Sequence, residues 1–151
     1  MTKKYELMTD RTVEFKGRTL YRIRALIDFA DVKAGDLGGY IESEDNLSHE
    51  GDAWVYSIIR PRGYWTLKPE HYGVYGKAFV YDNARVYGNA RVYGTAEVYG
   101  DAQVYEDANV YGYSRVFGDA RIHGTANVCE NAWIYGAADI SDGMWTHGHM
   151  F

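Results

Sequence analysis

The stretch that decides the fold is residues 72–143, which reads YGVYGK AFVYDN ARVYGN ARVYGT AEVYGD AQVYED ANVYGY SRVFGD ARIHGT ANVCEN AWIYGA ADISDG. It consists of twelve consecutive six-residue units without a gap. The third position of every unit is Val or Ile, and the first is Ala in ten of the twelve. The fifth position is Gly in eight units, and Asn, Asp or Thr is frequent at the sixth.

Each unit predicts a short strand followed by a corner. Side chains alternate along a strand, so the first and third positions point to one side and the second and fourth to the other. Gly, Asn and Asp suit the corner, because they tolerate positive φ or bond back to the local backbone. An aliphatic residue that always points inward excludes a hairpin meander. We therefore predict a parallel solenoid in which three consecutive units close one triangular, 18-residue coil.

Stacking each coil on the next predicts three inward ladders and three outward ladders. The inward ladders are Val74, Val92, Val110, Val128; Val80, Val98, Val116, Ile134; and Val86, Val104, Ile122, Ile140. The outward ladders are Tyr75, Tyr93, Tyr111, Cys129; Tyr81, Tyr99, Phe117, Tyr135; and Tyr87, Tyr105, His123, Ser141. Stacked rings on adjacent strands reinforce the wall. The alternative is an adhesive surface, because Tyr is enriched at interfaces.

The repeat resembles the hexapeptide-repeat, left-handed parallel β-helix family, whose signature is an aliphatic residue followed four residues later by a small one. The left-handed sense is what this resemblance implies. A second resemblance rests on DFADVKAGDLGG at residues 28–39 and LSHEGDAWVY at residues 47–56. These segments are similar to the N-terminal part of a group of bacterial and phage hexapeptide-repeat proteins that are labelled transferases.

The segments outside the repeat predict caps and irregular rungs. Residues 11–29 alternate apolar and polar residues on both sides of Lys16-Gly17, which predicts a β-hairpin that covers one open end of the solenoid. Ile41, Leu47 and Val55 fit early rungs of the same helix. The single domain is divided into a hairpin cap with its entry segment, first rungs with a protruding loop, the regular β-helix and a C-terminal cap, at residues 1–40, 41–71, 72–143 and 144–151.

The charge, the apolar content and the cysteine count indicate which partners and which cellular compartment to expect. The net charge is −5, so the chain lacks the basic excess that neutralises nucleic-acid phosphates. The opening MTKKYELMTD contains no apolar stretch typical of a signal peptide, and no apolar run is long enough to cross a membrane. A single cysteine excludes an intrachain disulfide. We expect a cytoplasmic protein without membrane contact, and nucleic acid is not an expected partner.

The primary functional hypothesis is a non-catalytic binding protein that needs no cofactor. It presents Tyr-rich faces and the loop at residues 58–71 to a protein partner or to a second copy, and one form would be a phage-type inhibitor of a host defence system. Replacing Tyr64 and Trp65 with Ala is expected to abolish binding without lowering thermal stability. Sugar binding by exposed rings is a further alternative. The candidate binding residues are Tyr64, Trp65, Tyr75, Tyr81, Tyr93, Tyr99, Tyr111 and Trp133.

The alternative from a different class is an acyltransferase that uses acyl-CoA. The family resemblance implies a histidine general base in a cleft between the subunits of a trimer. His71 ends the loop and His123 holds a wall position, so these two are the candidate bases. The purely structural interpretation of His71 is a histidine on a surface loop. That of His123 is a ring that stacks in the outward ladder. No long loop interrupts residues 72–143, which departs from the acyltransferase pattern.

The sequence predicts no metal site. Relatives with this fold that hydrate carbon dioxide bind zinc through three histidines across a trimer interface, but the histidines of this wall do not have such a spacing. His147 and His149 form an H-G-H pair, and two ligands are too few for a zinc site. Cys129 has no histidine in its ladder, so it is interpreted as a ladder substitution and not as a nucleophile.

Overall fold

The computed structural model describes residues 3–15, 17–30, 32–55, 78–146 and 148–150, with the backbone alone at residues 15, 149 and 150. In these ranges the chain is all β apart from a 3-10 turn at Glu44–Asn46. None of the described helical segments has the length and apolar character needed to cross a membrane. The strands are β1 (Tyr5–Phe15), β2 (Arg18–Ala25), β3 (Leu37–Ile41), β4 (Trp54–Val55), β5 (Phe79–Val80), β6 (Arg85–Val86), β7 (Arg91–Val92), β8 (Glu97–Val98), β9 (Gln103–Val104), β10 (Asn109–Val110), β11 (Arg115–Val116), β12 (Arg121–Ile122), β13 (Asn127–Val128), β14 (Trp133–Ile134), β15 (Asp139–Ile140), β16 (Met144–Trp145) and β17 (His149–Met150).

Three sheets form the walls of a triangular solenoid. Within the described ranges, the eight-stranded sheet has the order β1-β2-β3-β5-β8-β11-β14-β17, the five-stranded sheet β16-β13-β10-β7-β4, and the four-stranded sheet β15-β12-β9-β6. Each strand of the repeat pairs in parallel with the corresponding strand of the next coil, as Val98 does with Val116. The structure confirms the predicted parallel β-helix, in which three strands complete each coil, with an N-terminal hairpin. The left-handed sense rests on the family resemblance.

The core is a column of aliphatic side chains inside the three sheets. Third-position residues such as Val98, Val116 and Ile122 have no exposed surface, and neither do first-position alanines such as Ala96 and Ala120. The small residue fits where the chain enters a strand from the corner, and the β-branched residue fills the centre of the coil. This division of size explains why the repeat keeps one residue type at each position.

The first coil is built from residues that lie outside the regular repeat. Ile41, Leu47 and Val55 are completely buried, and each continues one inward ladder. They occupy the early rungs that the sequence predicts, although the spacing between them is irregular. The pairs are Ile41 with Val80, Leu47 with Val86, and Val55 with Val92.

The structure corrects one predicted ladder, at the residue that pairs with Val92 on the side of the N-terminal coil. We expected Val74 there, one full period earlier in the sequence, but β7 pairs with β4 on that side and places Val55 against Val92. The residues between β4 and β5 include 58–71, which do not keep the six-residue period, so counting back by one coil does not carry the register across them. Val74 itself lies outside the described residues.

The C-terminal residues add two further strands to the solenoid. β16 pairs in parallel with β13, and β17 pairs with β14. Val128 pairs with Trp145, one residue short of the regular period. Trp145 packs against the core where an aliphatic residue lies in the other coils, and its indole Nε1 donates to the Asp142 carbonyl at 3.0 Å. A larger side chain thus closes the end of the aliphatic column.

Lys4 lies at the other end of the solenoid and is almost completely buried, with 1% of its surface exposed. Its ammonium donates to the carbonyls of Ala53 at 2.6 Å and Gly51 at 3.3 Å, and it lies 4.8 Å from the ring centre of Phe29. Burial lowers the pKa of Lys4 to about 8, and the charge of Asp52 opposes that shift. The hairpin is therefore held to the first coil by a desolvated charge.

Lys4 is expected to make the free energy of unfolding rise with pH above about 8. Between the folded pKa of about 8 and the ordinary value of 10.5, the unfolded chain holds a proton that the folded chain has lost. The expected gain from pH 8 to about pH 10 is ~2 kcal/mol. Urea unfolding of the native chain and of Lys4→Met at both pH values measures it.

In that experiment the Lys4→Met variant should lose the Lys4 contribution to the pH dependence. The pKa values of Tyr81, Tyr87 and Tyr99 are raised, mainly by burial, which lowers stability as pH passes their ordinary value of 10.0. This opposing effect is common to both proteins. Equal pH slopes for the two proteins would contradict the assignment to Lys4.

Candidate functional site

Aromatic side chains form parallel stacks on the outside of the solenoid. Strands of neighbouring coils lie in register about 4.8 Å apart, so rings at equal positions lie directly over one another. The ring centres are 4.8–5.1 Å apart and the planes differ by 7° or less. The stacked pairs are Tyr81–Tyr99, Tyr99–Phe117, Phe117–Tyr135, Tyr87–Tyr105, Tyr105–His123 and Tyr93–Tyr111.

The row on the five-stranded sheet corrects the predicted exposure of Tyr93 and Tyr111. Only 4% of Tyr93 and 8% of Tyr111 is exposed, and Cys129, which follows them in the row, is also buried. The tyrosines stack face to face and belong to the same hydrophobic cluster as the aliphatic core. Burial raises the pKa of the Cys129 thiol, which favours the unreactive protonated form.

Tyr81 is also buried, although the sequence places it in an outward row. The hairpin extends the eight-stranded sheet, so that Leu20 and Tyr40 pack against Tyr81. Tyr99 stacks on the ring at 5.1 Å, and the Tyr81 hydroxyl donates to Glu97 Oε1 at 3.0 Å. These contacts leave 3% of Tyr81 exposed, so it does not offer a binding surface in this structure.

An accessible aromatic patch lies toward the C-terminal end of the eight-stranded sheet. We call Arg115, Phe117, Trp133 and Tyr135 the Trp133 patch. Trp133 is 37% exposed, with the Arg115 guanidinium 5.3 Å from its ring centre and the Phe117 ring edge-on at 6.3 Å. Arg115 and Trp133 are direct partners in the β11–β14 pair. Glu97 Oε2 lies 3.6 Å from Arg115 Nε, which helps to hold the guanidinium in place.

The predicted binding residues therefore separate into three groups. Trp133 is exposed and Tyr99 is partly exposed. Tyr81, Tyr93 and Tyr111 are buried. Tyr64, Trp65 and Tyr75 lie outside the described residues. Sequence reasoning left Arg115 out of the site, although its place one rung from Trp133 follows from the regular period of the coils.

His123 is held between two carboxylates on the four-stranded sheet. Its Nε2 lies 2.5 Å from Asp139 Oδ1, its Nδ1 lies 3.2 Å from Glu106 Oε1, and its ring stacks on Tyr105 at 4.9 Å. The hydrogen bond to Asp139 is the main cause that raises the pKa of His123. A general base needs a neutral imidazole with a free nitrogen, whereas both nitrogens here have acidic partners. The geometry favours a stacked cation.

His123 is expected to titrate above its ordinary pKa of 6.5. Because the folded pKa is raised, the stabilising contribution is complete below the unfolded pKa and is lost as pH rises through the folded value. NMR titration of the imidazole measures this, and Asp139→Asn should lower the His123 pKa more than Glu106→Gln does. A pKa at or below 6.5 in the native chain would show that the two carboxylates do not hold the cation.

His49 has a structural role at the start of the solenoid. Its Nδ1 accepts the backbone N–H of Lys4 at 3.1 Å, which leaves Nε2 to donate to Glu44 Oε1 at 2.7 Å. Its ring stacks on Tyr5 at 4.1 Å. These contacts fix the N-terminal segment against the first coil.

Several predicted chemical positions lie beyond what the structure describes. His71, the second candidate base, and His147 are outside the described residues, and only the backbone of His149 is described. Over the described ranges, no three His, Cys, Asp or Glu side chains lie together in a way that could hold a metal ion. The H-G-H pair therefore stays untested as a ligand pair.

Comparison with known proteins bears on the repeat itself. A family model described as YdcK beta solenoid repeat matches residues 78–94 and 84–100. The repeat is similar to YdcK β-solenoid repeats. A relative named "Uncharacterized acetyltransferase YdcK", from Escherichia coli (strain K12), is 46% identical over 41 residues.

These matches support a protein of the hexapeptide β-solenoid type. The aligned residues are 27% of this chain and 13% of the relative, so the likeness covers a small part of the E. coli protein. The word acetyltransferase belongs to that protein's name. The family match lies within the regular repeat, so the resemblance carried by residues 28–39 stays a prediction.

Proposed function

We propose that this chain is a non-catalytic β-helix protein that binds a protein partner through the Trp133 patch. The observation that supports the proposal is the exposed Trp133 ring, with Arg115 beside it one rung along the wall and Phe117 against its edge. Trp, Tyr and Arg are the residues that most often dominate the energy of protein interfaces. The patch brings all three together with Phe.

The patch is also arranged to bind at low entropic cost. Phe117 and Tyr135 stack with ring centres 5.1 Å apart, and Arg115 is held between Glu97 and Trp133. Side chains that are already ordered lose less freedom when a partner binds. Tyr113, two residues before Arg115 at the adjacent corner, is 53% exposed.

Affinity capture with matched variants tests the proposal. The native chain, Arg115→Ala with Trp133→Ala, and Met144→Ala are used as baits from the same extract. Met144 is the control because it is 64% exposed, apolar and on a different sheet. A partner of the patch should be retained by the native chain and Met144→Ala and reduced at least about tenfold by the double variant. Equal capture by all three baits would contradict the proposal.

A host defence protein is one class of partner that the resemblance to phage-borne relatives suggests. The same capture experiment addresses it, because the identity of a protein lost from the double variant gives the class directly. The proposed binding needs no cofactor. A second copy of the chain is the other form of partner, and light scattering at several concentrations distinguishes it from a foreign protein.

Acyl transfer is the second candidate function. It is supported by the name of the E. coli relative. His123, which lies 2.5 Å from Asp139, is the candidate base among the described residues. The reaction would require that Nδ1 or Nε2 of His123 release its carboxylate and meet the substrate. Titration with acetyl-CoA and the absolute molar mass test this candidate. A trimer that binds acetyl-CoA and loses turnover in His123→Asn would favour it, and absence of both a trimer and CoA binding would exclude it.

A further inference from the structure

One outward row of the four-stranded sheet contains three rings between two small residues. Tyr87, Tyr105 and His123 stack in sequence at 5.0 and 4.9 Å. Ser48 takes the position before Tyr87, since its N–H donates to the Val86 carbonyl just as the N–H of Tyr87 donates to that of Val104. Ser141 takes the position after His123. The ring stack therefore ends at a serine on each side.

Ser48 is too small to fill the position next to Tyr87, where a ring would continue the stack. Ser48 has no aromatic group to cover the lower face of Tyr87, and its Oγ accepts the N–H of Glu50 at 3.0 Å, which turns it toward its own corner. An open groove of about 440 Å³ lies at this place. Its lining includes Glu44, Asp45, Ser48, Arg85, Tyr87 and Gln103.

The lining combines a ring face with charged groups of both signs. A planar ring placed under Tyr87 would continue a stack whose spacing is 5.0 Å. Carboxylates are acceptors only, so the exposed Asp45 favours a ring edge that offers N–H donors, whereas Glu44 already accepts from His49 at 2.7 Å and from Lys3 at 3.4 Å. The hydrogen bond from His49 lowers the pKa of Glu44, which keeps that carboxylate ionised. Arg85 adds the guanidinium that commonly binds phosphate.

We propose that this groove binds a guanine nucleotide whose base occupies the missing rung beneath Tyr87. Guanine presents two adjacent N–H groups that one carboxylate accepts together, whereas adenine places an acceptor nitrogen beside its amino group. The phosphate lies toward Arg85. The volume is within the ~300–1,000 Å³ range of small-molecule sites. This inference is independent of the Trp133 patch, which lies on another sheet.

Calorimetric titration of the full chain with GMP tests the proposal, with Ser48→Tyr and Ser141→Tyr as matched variants. Both substitutions add a tyrosine to an end of the same stack, but only Ser48→Tyr fills the groove. GMP should bind the native chain and Ser141→Tyr equally, and its affinity for Ser48→Tyr should fall at least about tenfold. Absence of saturable GMP binding to the native chain, or equal binding to Ser48→Tyr, would overturn the proposal.

Further ligands and one further variant test each part of the assignment. AMP should bind at least about tenfold more weakly than GMP, and equal affinity would overturn recognition by the carboxylates. Arg85→Gln should weaken GMP and leave guanosine unchanged, and a loss for both ligands would overturn the phosphate assignment. If Ser48→Tyr lacks a cooperative thermal transition, Ser48→Leu fills the same space and replaces it. Retained GMP binding in a folded Ser48→Leu would likewise overturn the proposal.

Discussion

Asn46→Ala is expected to lower the free energy of unfolding by ~4 kcal/mol, the largest effect of any single change considered for this chain. Asn46 is completely buried at the first corner of the solenoid. Its Oδ1 accepts the N–H groups of Glu42 at 3.0 Å and Ser43 at 2.9 Å. Its Nδ2 donates to the carbonyls of Asp82 at 3.1 Å and Ala84 at 2.8 Å.

The size of this effect follows from what the substitution leaves behind. An alanine cannot replace any of the four hydrogen bonds, of which the one to Ala84 is buried and the other three are partly buried. A buried polar group without a partner costs about 1–3 kcal/mol, and within the described residues only the Glu42 N–H keeps a second acceptor, the Val80 carbonyl at 3.3 Å. The bonds also join the first coil to the second across the segment between β4 and β5, so their loss loosens the N-terminal end. Part of the cost is recovered if water enters, which is why we expect less than the sum.

Asn83→Ala is the matched control for Asn46→Ala. Asn83 is exposed at the same corner of the next coil, and its Nδ2 donates to Asp101 Oδ1 at 3.2 Å. Water replaces such a bond readily, so the expected loss is below about 0.5 kcal/mol. Urea unfolding of the three proteins measures both differences. Similar losses for Asn46→Ala and Asn83→Ala would contradict the view that Asn46 joins the two coils.

Gly112→Ala is expected to cost ~3 kcal/mol, the second largest effect. Gly112 has a φ of +70°, and a Cβ added there would lie 2.5 Å from the backbone nitrogen of Glu130 in the next coil. The stacked backbones of a solenoid cannot separate locally without breaking the hydrogen bonds on both sides. The strain of positive φ and the clash therefore add.

Gly17→Ala separates the two causes. Gly17 lies in the hairpin turn with a φ of +78°, and a Cβ added there meets no atom within 4 Å. Its cost should be that of the backbone conformation alone, about 1 kcal/mol. Denaturant unfolding of both variants gives the difference. If both alanines cost the same, the contact with the next coil is not what requires glycine at position 112.

The fifth position of the repeat accepts a side chain at some corners. Asp82, Glu106 and Glu130 have φ values of 56–61°, so an L-residue can adopt this corner. A Cβ added at Gly88 or Gly112 would meet backbone atoms of Glu106 or Glu130, the residue at the same corner of the next coil.

The sequence predicts the regular part of the fold well because each unit repeats the same local requirements. The inward ladder of Val98 and Val116 follows from the regular period alone. The register below Val92 does not, because Val55 reaches it across residues that have no period. Lys4 and Asn46 were not predicted, since their partners are carbonyls and N–H groups distant in sequence, and the identity of a buried polar residue does not reveal its partners.

The six-residue period predicts which residues of the candidate site share a face of the solenoid. It does not predict how much of each side chain is exposed. Trp133 is exposed, as an outward second-position residue should be, and Arg115 beside it follows from the spacing. The same reasoning placed Tyr93 and Tyr111 on an exposed face, but both are buried. His123 between Glu106 and Asp139 could have been found by examining the positions nearly one coil away on either side.

Site-specific photocrosslinking tests the central claim most directly. Benzoylphenylalanine replaces Trp133 in one protein and Met144 in a second, and both are irradiated in living cells that express the chain. The account predicts a discrete protein adduct from position 133 that is absent or much weaker from position 144. An identical adduct pattern from both positions, or none from position 133, would contradict a binding function for the Trp133 patch.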